Sequence, residues 1–179
     1  LISQTKRCSE ILKKISKKQI EEDSFINLIK LEDLLEEIIT SFEETSSKKI
    51  YLLNKNDQNK ISIQRTPEII YGLRNFIGNA VKFSKSKIEV NLKSDEKMIK
   101  IEINDDGPGI PEDIINKIGE PYIRSKSKEL SPNSGLGLGT FLGKTLLERQ
   151  GANLQFKRNS KLGGALVVIS WSPNSFTNV

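Results

Sequence analysis

The sequence predicts an α+β fold, a mixed sheet with helices on one face, and three observations lead there. Apolar residues recur at helical spacing in "LEDLLEEIITSF", in 67–83 and in "GTFLGKTLLERQG". "KIEVNLK" and "MIKIEIND" alternate with period two, the signature of a paired antiparallel set. Two more strand-like runs, "NLQFKR" and "ALVVISW", close the chain. In that order they give an α+β sandwich.

Residues 1–20 read as a helix. Leu1, Thr5, Cys8, Leu12 and Ile15 recur at alternating spacings of four and three, and Ile11 widens the stripe. Such a seam needs a partner helix. A charged linker over 21–29 separates it from the main domain, 30–172, and a tail follows over 173–179. In the domain's first helix Leu31, Leu34, Leu35, Ile38, Ile39 and Phe42 share one side. "IYLLN" and "KISIQ" read as short strands. Thr66 as N-cap and Pro67 in the first turn open a helix that runs to about Phe83. "PEDIINKIG" reads as a short helix stopped by Gly119, and 119–135 as a long polar loop. Gly151 ends the last helix.

The chain has 179 residues, 36% hydrophobic and 28% charged, a globular balance. No apolar run approaches the ~20 residues of a membrane span, and no signal-peptide pattern opens the chain. It starts at Leu1, so it is expected to be a piece of a longer protein. One cysteine, Cys8, leaves no intramolecular disulfide and points to a reducing compartment. The net charge of +5 comes from lysines interleaved with acids and few aromatics, which argues against a nucleic-acid partner. The histidine count of zero excludes histidine triads, histidine zinc sites and a histidine general base within this sequence.

Three stretches carry candidate chemistry. On the helix over 67–83, Asn75, Asn79 and Lys82 fall at i, i+4 and i+7, opposite the apolar face. A solvated face accounts for Lys82. Asparagine is a poor helix former, so two of them there suggest a job: a carbonyl oxygen for a hard cation, with a lysine for phosphate one turn on. In "MIKIEINDDGPGIP", period two places Asp105 on the face of Ile99, Ile101 and Ile103, and turns Asp106 away. A carboxylate there needs a strong partner. It is either part of a capped turn or a hydrogen-bonding group for a flat, polar-edged ligand such as a base, which the backbone at Gly107 and Gly109 can approach. Gly135, Gly137 and Gly139 alternate before a helix, where backbone N–H groups can face phosphates. Leu138 breaks the P-loop pattern and Leu142 the dinucleotide fingerprint.

In this order the stretches resemble the ATP-binding domain shared by sensor histidine kinases, gyrase-type topoisomerases, Hsp90 chaperones and MutL, the GHKL or HATPase_c family. "LRNFIGNAVKF" resembles its N box, "NDDGPGIP" its G1 box, "GEPYIRS" its F box and "GLGLGTFL" its G2 box. The resemblance implies a two-layer Bergerat-type sandwich with a mixed five-stranded sheet, binding ATP and Mg²⁺. It implies that Asn79 binds magnesium, Lys82 contacts phosphate and Phe83 lines the pocket. Asp105 would read the adenine amino group beside Gly107 and Gly109. Gly135, Gly137 and Gly139 would form the phosphate loop, with Arg124 on a lid reaching the terminal phosphate. Asn75 stands where hydrolysing relatives carry a water-activating Glu, and an amide cannot act as a general base. Gly119 stands where the F box usually has Phe, and Ala165 where many relatives have Thr.

Among the kinases, "SQTKRCSEIL", "GEPYIRSKS" and "GLGTFLGKTLLERQGA" are most similar to the RegB/PrrB/ActS redox-responsive group. That likeness implies phosphoryl transfer to a histidine upstream of this sequence, then relay to a response regulator receiver domain. Residues 1–20 would be the second helix of a hairpin that makes a homodimer. Cys8 would be a redox-active thiol on its seam. The region would be cytoplasmic, the soluble part of a protein anchored in the inner membrane. A hydrolysing ATPase and a non-transferring nucleotide-binding regulatory module are the alternatives.

Overall fold

The computed structural model describes residues 28–54, 61–122, 138–158 and 162–172. The seam helix with Cys8, the residues Arg124, Gly135 and Gly137, and the tail over 173–179 lie outside the described residues. The order is β1 (Leu28–Lys30), α1 (Leu31–Glu43), β2 (Lys49–Asn54), β3 (Ser62–Gln64), α2 (Pro67–Phe83), β4 (Lys87–Ser94), β5 (Ile99–Asp105), a 3-10 turn (Ile115–Lys117), α3 (Leu138–Arg149), β6 (Asn153–Arg158) and β7 (Ala165–Trp171).

Five strands make one sheet in the order β2-β4-β5-β7-β6. β2 runs parallel to β4, and the other neighbours are antiparallel, so the sheet is mixed. Alternation sets its faces. Ile99, Ile101, Ile103 and Asp105 are buried, and Ile101 pairs with Leu92 on one side and Ile169 on the other. The three helices cover that face. α1 contributes Leu31, Leu34, Leu35, Ile38 and Ile39, and α2 contributes Ile69, Leu73, Phe76, Ile77 and Ala80. The opposite face carries charge, with Glu102 bridging Lys93 and Lys100 at 2.7 Å each.

α2 sits centrally. Thr66 Oγ1 accepts the Ile69 N–H at 3.3 Å and Pro67 follows, as expected of a capped start. Arg65 grips Glu37 through two bonds of 2.6 and 2.7 Å, and Arg74 stacks on Phe42 at 5.1 Å, so α1 is tied to α2. α3 crosses α2 closely because glycines meet there. A Cβ on Gly72 would stand 2.5 Å from Leu147 Cγ, and one on Gly143 2.9 Å from Asn75 Cβ. α3 ends at Gly151, whose φ of +76° is the left-handed stop expected there.

Two local readings differ. "PEDIINKIG" is a run of tight turns with a single 3-10 turn, not a helix. Its bonds, Ile114 N to Pro111 O, Lys117 N to Ile114 O and Glu120 N to Lys117 O, all close three residues back. The turn buries none of its residues, so no packed apolar stripe rewards a full helix. Leu28 and Ile29, read as the end of the linker, form β1, which pairs with β3 beside the main sheet.

Candidate functional site

The site is built where the end of β5 meets the end of α2. Asp105 is only 5% exposed. Its Oδ1 accepts the N–H groups of Gly107 at 2.8 Å and Ala165 at 3.1 Å. Both bonds fall on Oδ1, so Oδ2 has no partner among the described residues. Burial pushes the Asp105 carboxyl above its ordinary range. The Ala165 and Gly107 N–H groups pull it partly back, the neighbouring Asp106 charge raises it and Lys48 lowers it. The glycines around it are required by contact. A Cβ on Gly164 would collide with the Asp105 backbone and side-chain oxygens, and one on Gly107 with the Phe83 carbonyl. Gly109 has φ +77°, a left-handed conformation that suits glycine.

Asp106 faces away from the core, as period two requires, and is fully engaged. It accepts from Lys85 N at 2.7 Å, Ser86 N at 3.1 Å, Ser86 Oγ at 2.7 Å and Lys87 N at 3.1 Å. Desolvation works against its charge, but the Ser86, Lys87 and Lys85 donors outweigh it and hold the carboxyl at about 2.

On α2, Asn75 and Asn79 do not face open water. They turn toward α3. Asn75 Nδ2 donates to Tyr71 O at 2.8 Å, and a Cβ on Gly139 would stand 3.3 Å from Asn75 Oδ1. Asn79 Nδ2 donates to Thr140 Oγ1 at 3.2 Å, which leaves Asn79 Oδ1 uncommitted among the described residues. Lys82 lies in the last turn of α2, its ammonium 5.3 Å from the Phe83 ring centre. Gly139 lies in the first turn of α3, where backbone N–H groups have no partner within the helix.

The structure therefore brings together Asp105, Gly107 and the α2 end carrying Lys82 and Phe83, and separately Asn75, Asn79 and Gly139 along the α2–α3 crossing. Sequence reasoning missed four participants: Thr140, Ala165, Asp106 and Lys48. Lys48 donates to Val81 O at 2.6 Å and to Ser84 O, so it caps the end of α2. Ala165 acts through its backbone, which no side-chain pattern reveals. Thr140 sits inside "GLGLGTFL" and was readable as a polar residue on the loop-facing turn.

This is the architecture of an ATP-binding α+β sandwich, with an acid at a strand end and an amide-bearing helix beside a glycine-led one. A family model described as histidine kinase-, DNA gyrase B- and HSP90-like ATPase matches residues 65–174, and the chain belongs to that family. It is 43% identical over 112 residues to the sensor histidine kinase RegB of Cereibacter sphaeroides, a match covering 60% of this chain and 24% of that protein. It is 33% identical over 101 residues to the sensor histidine kinase CpxA of Escherichia coli, covering 56% of this chain and 22% of that one. The matches thus span under a quarter of these relatives' length. Among solved structures, the mycobacterial sensor histidine kinase MprB superposes with a TM-score of 0.68 at 18% identity, over 82% of this chain and 97% of that one. The ATP binding domain of PrrB from Mycobacterium tuberculosis gives 0.62 at 21% identity, over 81% and 95%. These two likenesses show a shared fold.

Proposed function

We propose that this chain is the ATP-binding catalytic portion of a two-component sensor histidine kinase. It would pass the γ-phosphoryl group of ATP to a histidine outside this sequence, for relay to an aspartate on a response regulator. The observation that carries the reading is the Asp105 carboxylate, buried at a strand end with Oδ1 held by backbone and Oδ2 open. An open acceptor in a dry wall suits the exocyclic amino group of adenine.

The remaining groups fit the other end of the nucleotide. The uncommitted Asn79 Oδ1 is the kind of oxygen that a hard cation takes, so Asn79 would hold Mg²⁺. Bound there, Mg²⁺ would neutralise charge on the phosphates. Lys82 offers a cation, and the first turn of α3 at Gly139 offers free N–H groups to an anion. On family resemblance Gly135 and Gly137 extend that loop and Arg124 reaches the terminal phosphate. Phosphoryl transfer needs positioning and charge stabilisation more than covalent chemistry, which this set supplies. Asn75 cannot accept a proton from water, which favours transfer over hydrolysis.

On family resemblance the same reading makes residues 1–20 half of a homodimer hairpin and Cys8 a redox-active thiol. The full-length protein would be anchored in the inner membrane. Among the described residues no helix is long and apolar enough to cross a membrane, so the anchor would belong to another part of that protein.

The test has two stages. The chain is titrated with MgATP, with Asp105→Asn beside it. A histidine-bearing hairpin is then added with labelled ATP. The expected result is micromolar-range binding, lost in Asp105→Asn, and acid-labile label on the hairpin. Binding without label on the hairpin would favour the regulatory module, and phosphate release without label would favour an ATPase.

A further inference from the structure

The end of α2 is unusual. Helices commonly stop at a glycine in the left-handed conformation, and "KFSKSK" has none. Ser84 instead leaves α2 in an extended conformation, its N–H still bonded to Ala80 O at 2.8 Å. The backbone beyond it is satisfied from outside. Lys48 supplies a donor to the Val81 and Ser84 carbonyls. Asp106 supplies an acceptor to the three successive N–H groups of Lys85, Ser86 and Lys87, and to the Ser86 hydroxyl. The Asp106 N–H returns a bond to Lys87 O at 3.2 Å.

Asp106 is therefore the knot between two halves of the site. Its neighbour in sequence is Asp105, the buried carboxylate whose Oδ1 is held by Gly107 and Ala165. The turn it grips follows directly on Lys82 and Phe83. Gly107 seals the same junction, because a Cβ there would strike the Phe83 carbonyl. We propose that Asp106 is a positioning residue for nucleotide recognition: by clamping the Lys85–Lys87 turn to the end of β5, it fixes where the Asp105 carboxylate stands relative to the end of α2. This rests on the reading of Asp105 as the base reader.

Because the Asp106 carboxylate is taken up by the Lys85–Lys87 turn, its effect is expected to appear as base discrimination. The probes are ATP and inosine triphosphate, which has a carbonyl where adenine has its amino group. Each is titrated with Mg²⁺ into the 179-residue chain and its variants. Wild type is expected to prefer ATP, and Asp105→Asn to lose that preference. If wild type shows none, or if Asp105→Asn keeps it, the base-reader assignment itself fails. With those controls in place, Asp106→Ala is expected to lower the ATP-to-inosine-triphosphate ratio about fivefold to tenfold, the scale of one ordinary hydrogen bond. Asp106→Asn keeps an acceptor for the Lys85 and Ser86 N–H groups and is expected to restore most of the ratio. A folded Asp106→Ala that loses affinity for both nucleotides equally would make Asp106 merely structural, and an unchanged ratio would equally overturn the proposal. Should Asp106→Ala not fold, Ser86→Ala removes a single bond and carries the test. Its ratio is expected to fall about twofold, and an unchanged ratio there has the same overturning force.

Discussion

Ala165 donates its backbone N–H to Asp105 Oδ1 at 3.1 Å, so β7 holds a carboxylate that belongs to β5. The contact depends on the residue before it. A Cβ on Gly164 would occupy the space of the Asp105 oxygens, and backbone cannot yield as a side-chain tip can. Gly164→Ala is expected to cost about 1–3 kcal/mol of stability through overpacking. It should also weaken ATP binding at least about tenfold by turning Asp105. Calorimetric titration beside a urea melt separates the two, and unchanged affinity would show that the backbone grip on Oδ1 does not set how the open Oδ2 meets the base.

The two adjacent acids should bend the pH–stability curve in opposite directions. Asp106 has its carboxyl lowered from 3.8 to about 2, so its stabilisation is present above the unfolded value and is lost as pH falls through about 2. Asp106 lies near the surface, and screening keeps its share to about 1 kcal/mol. Asp105 is raised, so its contribution is present below the unfolded value and is lost as pH rises through the folded one. Asp106→Asn should flatten the loss of stability between about pH 4 and pH 2. Asp105→Asn should remove the opposing slope above pH 4. Urea midpoints across pH measure both, and parallel curves for all three proteins would refute the assignment.

The α2–α3 crossing gives a prediction in which two effects compete. Replacing a helical glycine by alanine gains about 1 kcal/mol in propensity. At Gly72 the new Cβ would lie 2.5 Å from Leu147 Cγ, and Leu147 is fully buried. Overpacking there costs about 1–3 kcal/mol, so Gly72→Ala should be destabilising on balance. A chemical melt showing a stabilised variant would mean that the helices can part at this point.

Lys48→Met keeps the aliphatic stem but leaves the Val81 and Ser84 carbonyls without their charged donor. A loss of about 1–3 kcal/mol is expected. Lys48 also helps hold Asp105 ionised, so the Asp105 carboxyl should titrate higher in the variant, as carboxyl NMR would report. An Asp105 that titrates as in wild type would show that Lys48 acts on the helix end alone.

Local signals carried much of the fold. Period two over 99–105 put Asp105 on the buried face, and Thr66-Pro67 marked the start of α2. What stayed hidden is non-local. Asp106 reads as a turn acid, because its partners lie about twenty residues back at Lys85–Lys87. Lys48 reads as one surface lysine among many, yet its acceptors are 33 and 36 residues away. The asparagine stripe was visible as an anomaly, but only the glycines at 72 and 143 explain how α3 comes close enough for Thr140 to meet Asn79. "PEDIINKIG" misled because its isoleucines have helical spacing, yet Ile114, Ile115 and Ile118 are only partly buried and the stretch closes as tight turns.

Helix ends ordinarily open and close many times before the whole protein does, and their amide protons exchange first. α2 is gripped at its start by Thr66 and beyond its end by Lys48 and Asp106, which lie far apart in sequence. It therefore has no loose end to fray. Releasing its last turn means also breaking the junction with β5, so those amides should keep the slow clock of the core. In deuterium exchange α2 would act as the fixed post of the domain, the reference against which the movement of every neighbouring segment is timed.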